Sequence, residues 1–448
     1  MIMADVAAAA GRTPAERLAR MVRCRTVTQP EGGDPGEFRR LHAVLEEDYP
    51  LVHRHLERTR VRGESLLYRW PGRGPDPAAR PTVLMAHQDV VEATGPWGRP
   101  PFDGVVADGM VHGRGAIDDK GCLCAILEAV ESLLAEGAAP ASDLYLAFSH
   151  NEETMGDGAP ALVRFLEERG VRPALVLDEG GAIVEGLFPG VRGRVAVIGT
   201  TEKGYLNLQF VARSAGGHAS APPRRTPLGR LSELVRRVER RPPFRPRLNP
   251  VVRRMFHDLA PAMAGPLRWL FGPLWLTGPL VGRLLAAMGG EARAMVVTTC
   301  AFTMAQGSGA PNVLPEEASM TANLRVAVHE TVVEVLARME RLAKPLDLAC
   351  RVLHTHEPAP VSPADGEAYD RILAALRTVH PDVTPVPYAM IAATDAHRFC
   401  ALSSHVYRLS PFELDRELRK GVHGLDERLP AAALEKAVAW YRALIAIS

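Results

Sequence analysis

The chain has 448 residues, too many for one ordinary hydrophobic core, so two domains are expected. With 47% hydrophobic residues there is ample material to fill both. Basic residues number 53 and acidic ones 52, a net charge of +1, which excludes an electrostatic case for a nucleic-acid partner.

The N-terminal apolar stretch 7–10 is short and follows Asp5, so no secretory signal is expected. Thr13-Pro14-Ala15-Glu16 reads as a capping box with proline at the first helical position. From residue 82 to 198 short apolar runs alternate with amphipathic ones. Strands are predicted over 82–86, 143–149, 174–177 and 194–198, and helices over 120–135 and 159–169. This alternation argues for an α/β sheet covered by helices, in which ligands sit beyond the carboxyl ends of the strands.

Past Lys203 the pattern changes. Strands over 205–212, 295–305, 318–326 and 346–354, with a helix over 331–342, suggest a smaller inserted α+β domain. The expected division is 1–203 with 358–448 for one domain and 204–357 for the other. Helices over 366–379 and 430–447 return to the first domain. Inside the insertion, residues 224–254 hold eleven arginines, read as a solvated helix face and a Pro-rich link. Residues 266–288 are apolar, with 14 uncharged residues between Arg268 and Arg283. That is too short to span a bilayer, so no transmembrane segment is expected. A buried lid element is the simpler reading; an apolar wall for a greasy substrate, or a membrane-surface contact, is the sharper one. Cys24, Cys122, Cys124, Cys300, Cys350 and Cys400 form no CxxC pair. Neither a disulfide framework nor a thiolate zinc site is supported, and isolated thiols point to a reducing, cytoplasmic location.

Side chains that bind metals recur at the predicted strand ends. His87 is followed by Asp89, which is placed to take the other ring N–H of a metal-bound imidazole. In GRGAIDDKG, Asp118 or Asp119 could bridge two metals, the other capping the helix. HNEET puts Glu152 beside Glu153, and neighbours in extended backbone point opposite ways, so one can bind metal while the other handles a proton. Asp178, with Glu179 as its competitor, ends the third strand, and His423 lies between glycines in a late loop. Two histidines and three carboxylates suit two divalent cations sharing one carboxylate. A structural site closes with four ligands and needs no base, so Glu152 favours an enzyme over a scaffold.

AHQDVV, GRGAIDDKG, NEE, DEG and the C-terminal HG, in that order, resemble the motifs of the di-zinc metallopeptidase family of carboxypeptidases, aminoacylases and succinyl-diaminopimelate desuccinylases. GGHASAPP, LDEGG and the long apolar insertion look closest to its carboxypeptidase S and N-acyl-amino-acid hydrolase branch. The resemblance implies a mixed-sheet zinc-hydrolase domain with helices on both faces and an inserted α+β lid that serves dimerisation. It implies that Asp118 bridges two zinc ions, with manganese or cobalt as alternatives, and that its bond to Asp119 is cis. His87 and Asp178 would complete one ion, Glu153 and His423 the other, with Glu152 as general base and Asp89 behind His87. His218 would reach a neighbouring subunit's site. Asn312, Arg325, Thr394 and Asp395 would bind substrate, although Asn323 replaces the aspartate that usually precedes Arg325. The implied reaction is hydrolysis of an amide beside a free carboxylate, in small peptides or N-acyl amino acids.

Overall fold

The computed structural model describes residues 11–29, 32–188 and 190–447. The stretch 7–10, on which the absence of a signal was read, lies outside them. Helix Pro14–Val22 begins at Thr13 with both capping-box hydrogen bonds in place and buries Leu18, Met21 and Val22.

The larger sheet is mixed and has 10 strands among the described residues. At its centre Thr82–His87 lies parallel to Leu144–Ser149 on one side and Leu175–Asp178 on the other, and Val406–Arg408 continues beyond. The central strands are buried on both faces, which is why TVLMA and LYLAF read as unbroken apolar runs. Leu84 and Ala86 face helices Lys120–Ala135 and Ala431–Ala446. Val83 and Met85 face the opposite way, toward helix Gly158–Glu168. Helices thus cover both faces.

The smaller sheet is antiparallel and four-stranded, in the order Thr299–Gln306, Glu317–Val326, Gly204–Arg213, Ala349–His356. Leu206, Leu208 and Phe210 alternate inward against Leu231 and Leu234 of helix Pro227–Arg240 and Val335 and Met339 of helix Val332–Ala343. The strand predicted from 295 starts at Thr299 instead. Met295–Val297 are buried, and the Val297 carbonyl accepts from Lys203 Nζ at 2.8 Å, which holds this stretch off the sheet.

The apolar excursion departs from the buried-lid expectation. Helix Pro250–Leu259 packs on strand Thr384–Met390 of the larger sheet. Helices Pro266–Phe271 and Leu274–Met288 follow over the same core and bury only part of their surface. In the arginine-rich run, Arg236 and Arg237 close on Glu233 and Arg254 on Asp258.

Candidate metal centre

The parallel strands bring their carboxyl ends to one edge. His87 is the last residue of its strand and Asp178 of the next, while Glu152 and Glu153 follow Ser149, which pairs with His87. Asp118 sits in the turn before helix Lys120–Ala135. Gly115 makes that turn possible: its φ is +88°, and a Cβ there would lie 2.7 Å from Val90. The Asp118–Asp119 peptide is cis. His423 has φ +55°, uncommon for a non-glycine residue, and its ring is turned back to the strand ends.

Asp118 touches both imidazoles. Its Oδ1 is 2.9 Å from His87 Nε2 and its Oδ2 is 3.1 Å from His423 Nε2. Glu153 Oε2 lies 3.1 Å from the same His423 nitrogen. Donor atoms of His87, Asp118 and Glu153 fall within 4.8 Å of one another. Behind them, His87 Nδ1 is 3.0 Å from the Asp89 carbonyl oxygen and 3.3 Å from its carboxylate. Asp89 also accepts the backbone N–H groups of Glu152 and Glu153, each at 3.1 Å, and the Thr28 hydroxyl at 2.6 Å. One buried carboxylate therefore orients His87 and fixes the backbone of the glutamate pair. Asp178 is close enough to feel the His87 charge, and its Oδ2 accepts the Ala396 N–H at 2.8 Å.

The electrostatics favour bound cations. Burial, then the charges of Asp395, Glu153 and Glu179, pushes the Glu152 carboxyl well above the usual range. Burial and the charges of Asp118, Asp119 and Asp178 do the same to Glu179. Asp395 is raised to about 7 by burial and by Asp178 and Asp89. Burial opposes ionisation of Asp118 too, but its bonds to His423 and His87 hold it well below. The bonds to Asp118 and Glu153 raise His423 to about 10. Buried oxygens Glu153 Oε1, Asp119 Oδ1 and Asp395 Oδ2 have no hydrogen-bond partner among the described residues. Crowded carboxylates with unpartnered oxygens, beside two imidazoles, fit divalent metals of the zinc, manganese or cobalt kind.

The remaining predicted residues divide. Arg325 lies over the Tyr205 ring, 4.7 Å from its centre, and is within range of the charges of Glu202 and Glu152. Asp395 joins the cluster through the charges just described. Thr394 is buried with its hydroxyl on Glu202 Oε2, 3.3 Å away. His218, in the short strand Gly217–His218, and Asn312, in the turn before the strand that pairs with it, lie exposed, joined by the Ala219 N–H to the Asn312 carbonyl, and among the described residues make no hydrogen bond with the cluster. Asn323 Nδ2 donates to Asn207 at 2.9 Å instead of bracing Arg325.

Two supporting acids were not singled out in the sequence. Buried Glu427 accepts N–H groups from Ile117 at 2.7 Å, Asp118 at 3.1 Å and Gly115 at 3.0 Å, and pairs with Arg114 at 2.7 Å. Glu202, fully buried with Arg408, accepts from its Nε at 3.2 Å. Glu202 ends a strand, the same signal that marked Asp178. Glu427 follows His423 by four residues in a loop and gave no such signal.

Residues 83–447 match the model of peptidase family M20/M25/M40. The chain belongs to this family. It is 32% identical to a probable carboxypeptidase S-like protein of Dictyostelium discoideum, over 96% of this chain and 84% of that protein. It is 37% identical to an N-fatty-acyl-amino acid synthase/hydrolase of Xenopus tropicalis, over 83% of this chain and 73% of that protein. The fold is shared with an M20 family metallo-carboxypeptidase of Sulfolobus solfataricus, at a TM-score of 0.71 and 16% identity, over 97% of this chain and 99% of that one. As a member of the M20 family the protein is a metal-dependent hydrolase.

Proposed function

We propose that this M20 hydrolase uses two zinc ions to cleave the amide of N-acyl amino acids or small peptides, next to a free carboxylate. The observation that carries the reading is Asp118 set between His87 and His423, with Glu153 on the second imidazole and Glu152 beside it. Residues 1–203 and 358–448 would form the catalytic unit and 204–357 its lid. His87 and Asp178 would hold one ion, Glu153 and His423 the other, with Asp118 shared. Bound there, the ions would supply Lewis acidity, making a water more acidic and polarising the scissile carbonyl.

The chain's own groups do the rest. Glu152 takes the proton of the attacking water and delivers it to the leaving nitrogen; burial already biases its carboxyl toward holding one. Asp89 fixes the tautomer of His87. Arg325, within range of the Glu152 charge, grips the substrate carboxylate, a pairing that two parallel N–H bonds make specific. Self-association through the lid would give the exposed His218 a second subunit's cluster to act on, where it offsets oxyanion charge. Among the described residues no helix is long and apolar enough to cross a membrane, and six free thiols support a cytoplasmic setting.

An apolar acyl group is favoured by the apolar excursion and by likeness to the Xenopus protein. Zinc-loaded protein assayed on N-acetyl and long-chain N-acyl amino acids tests it. Faster turnover of the long-chain amides is expected; a strong preference for acetyl would sink the apolar-acyl assignment, and no amide hydrolysis at all would sink the whole reading.

A further inference from the structure

Helices Pro266–Phe271 and Leu274–Met288 bury one side and leave the other bare. Phe271, Leu274, Val281 and Leu285 enter the core. Trp269, Trp275, Leu276, Leu280, Leu284 and Met288 stay outside, with exposures from 43% at Leu284 to 83% at Trp275. Residues 276, 280, 284 and 288 stand four apart and form one stripe along the longer helix. Single exposed apolar residues are ordinary; six large ones on two consecutive helices make a patch that asks for a partner.

The charge of this segment names the partner. Between Asp258 and Glu291 the only charged residues are Arg268 and Arg283, both exposed. The segment between Asp258 and Glu291 is therefore apolar and cationic with no carboxylate of its own, and the one acid that lines the recess beneath it, Glu291, is paired with Arg419. That recess is a cavity of about 200 Å³, lined among others by Phe256, Met263, Phe271 and Leu285. Leu284 and Met288 line this cavity and also belong to the exposed stripe, so recess and face share a rim.

We propose that this face docks on an anionic lipid surface, its helices lying in the plane of the interface and the recess taking the end of an aliphatic chain. Indole rings and leucines enter the headgroup boundary while guanidinium groups stay with the phosphates. The longer helix has 15 residues, roughly 22 Å at 1.5 Å per residue, so it lies on the bilayer and does not span it. A second copy fits the face less well. A two-fold contact lays the patch on itself and brings arginines to a surface with no acid. Glu291, on the wall of the recess, is already held by Arg419 at 2.8 Å.

The test uses the full chain and vesicles of phosphatidylcholine, with and without phosphatidylglycerol. Co-sedimentation with the anionic vesicles is expected, weakening with salt. Tryptophan emission should shift to the blue and be quenched by acyl-brominated lipid. The double variant Trp275→Glu, Leu280→Glu changes only exposed positions and should keep the parent's thermal midpoint and its hydrolytic rate on an N-acetyl amino acid, whose acyl group is too short to use the apolar excursion, while losing on the order of tenfold or more in vesicle binding. No vesicle binding at low salt, or binding unchanged in the variant, overturns the proposal. So does conversion of an oligomer to a monomer by the variant without any vesicle binding by the parent, which would make the face a self-contact. Vesicle binding needs neither metal nor turnover, so its failure is separate from failure of the hydrolase reading.

Discussion

The Arg325 guanidinium carbon lies 4.7 Å from the centre of the Tyr205 ring, in cross-strand register with it on neighbouring strands of the lid sheet. The Tyr205 hydroxyl accepts from Asn207 Nδ2 at 2.7 Å, and Asn207 accepts from Asn323 at 2.9 Å. On its ring side Tyr205 is stacked with His356, which is stacked in turn with His397. The aspartate that would brace Arg325 is absent, and an aromatic face holds the guanidinium in its place. A partly desolvated cation–π contact contributes about 1–2 kcal/mol, or roughly 5- to 30-fold in binding. Tyr205→Leu should raise KM for carboxylate-bearing substrates by about that factor with a smaller change in kcat, and Tyr205→Phe should restore most of it. Steady-state kinetics on both variants decide the matter; equal KM values would free Arg325 of any dependence on the ring.

Glu152 and Glu153 are neighbours with different surroundings, and their variants should separate binding from chemistry. Glu153 contacts His423 at 3.1 Å, whereas no hydrogen bond engages the Glu152 side chain among the described residues. Glu152→Gln should keep its metal and lose about 10²–10⁴-fold in kcat. Glu153→Gln should lose metal, read by elemental analysis of the dialysed protein. A Glu152→Gln enzyme with near-parental turnover would remove it from the proton transfer.

Chelation should do more than stop turnover. The metal-free cluster leaves Glu152, Glu179 and Asp119 pushed up by burial and by the charges of neighbouring carboxylates. Cations that bind only the folded chain stabilise it by about 2.7 kcal/mol at 100 times Kd. Removing metal should lower the thermal midpoint in calorimetry, and added zinc should restore both midpoint and rate. A midpoint indifferent to zinc would argue that the cluster holds none.

Much of this architecture is legible in the chain because two central strands hand a candidate ligand directly to the sheet edge. TVLMA ends on His87 and LVL on Asp178, so apolar runs announce the positions that follow them. What stayed hidden depends on partners far apart in sequence. Glu427 lies 309 residues from the Asp118 N–H it accepts, and Glu202 lies 206 from Arg408. No local pattern encodes such pairs. The helix Leu274–Met288 was opaque for another reason: both its faces are apolar, so periodicity could not say which one is buried.

Glu427 gives a stability prediction from that hidden set. It is 1% exposed and receives three backbone N–H groups of the Asp118 turn together with Arg114. Glu427→Ala would strand the buried Arg114 charge and unfasten the turn, which costs about 3–5 kcal/mol when one member of a buried pair is removed. Urea unfolding should register that loss, and metal affinity should fall with it because Asp118 is no longer held. A loss below about 1 kcal/mol would show that the turn keeps its shape without the carboxylate.

Lys203 lies between the last residue of one sheet and the first of the other, and its Nζ donates to the carbonyls of Ala294 at 3.1 Å and Val297 at 2.8 Å. Burial, with the Arg325 charge added, lowers its pKa to about 7. Below about 7 the amine is protonated whether the chain is folded or not, and burying the charge counts fully against the fold. Between about 7 and the unfolded value near 10.4 the unfolded chain binds more protons, so stability rises with pH at up to about 1.4 kcal/mol per unit. Other groups titrate in that window, so the readout is the difference between parent and Lys203→Met in urea unfolding from pH 6 to 10. The variant should be relatively more stable at the acid end, offset in part by two carbonyls left without a donor, and the difference should shrink as pH rises. A difference constant across that range would mean that Lys203 stays charged in the folded protein.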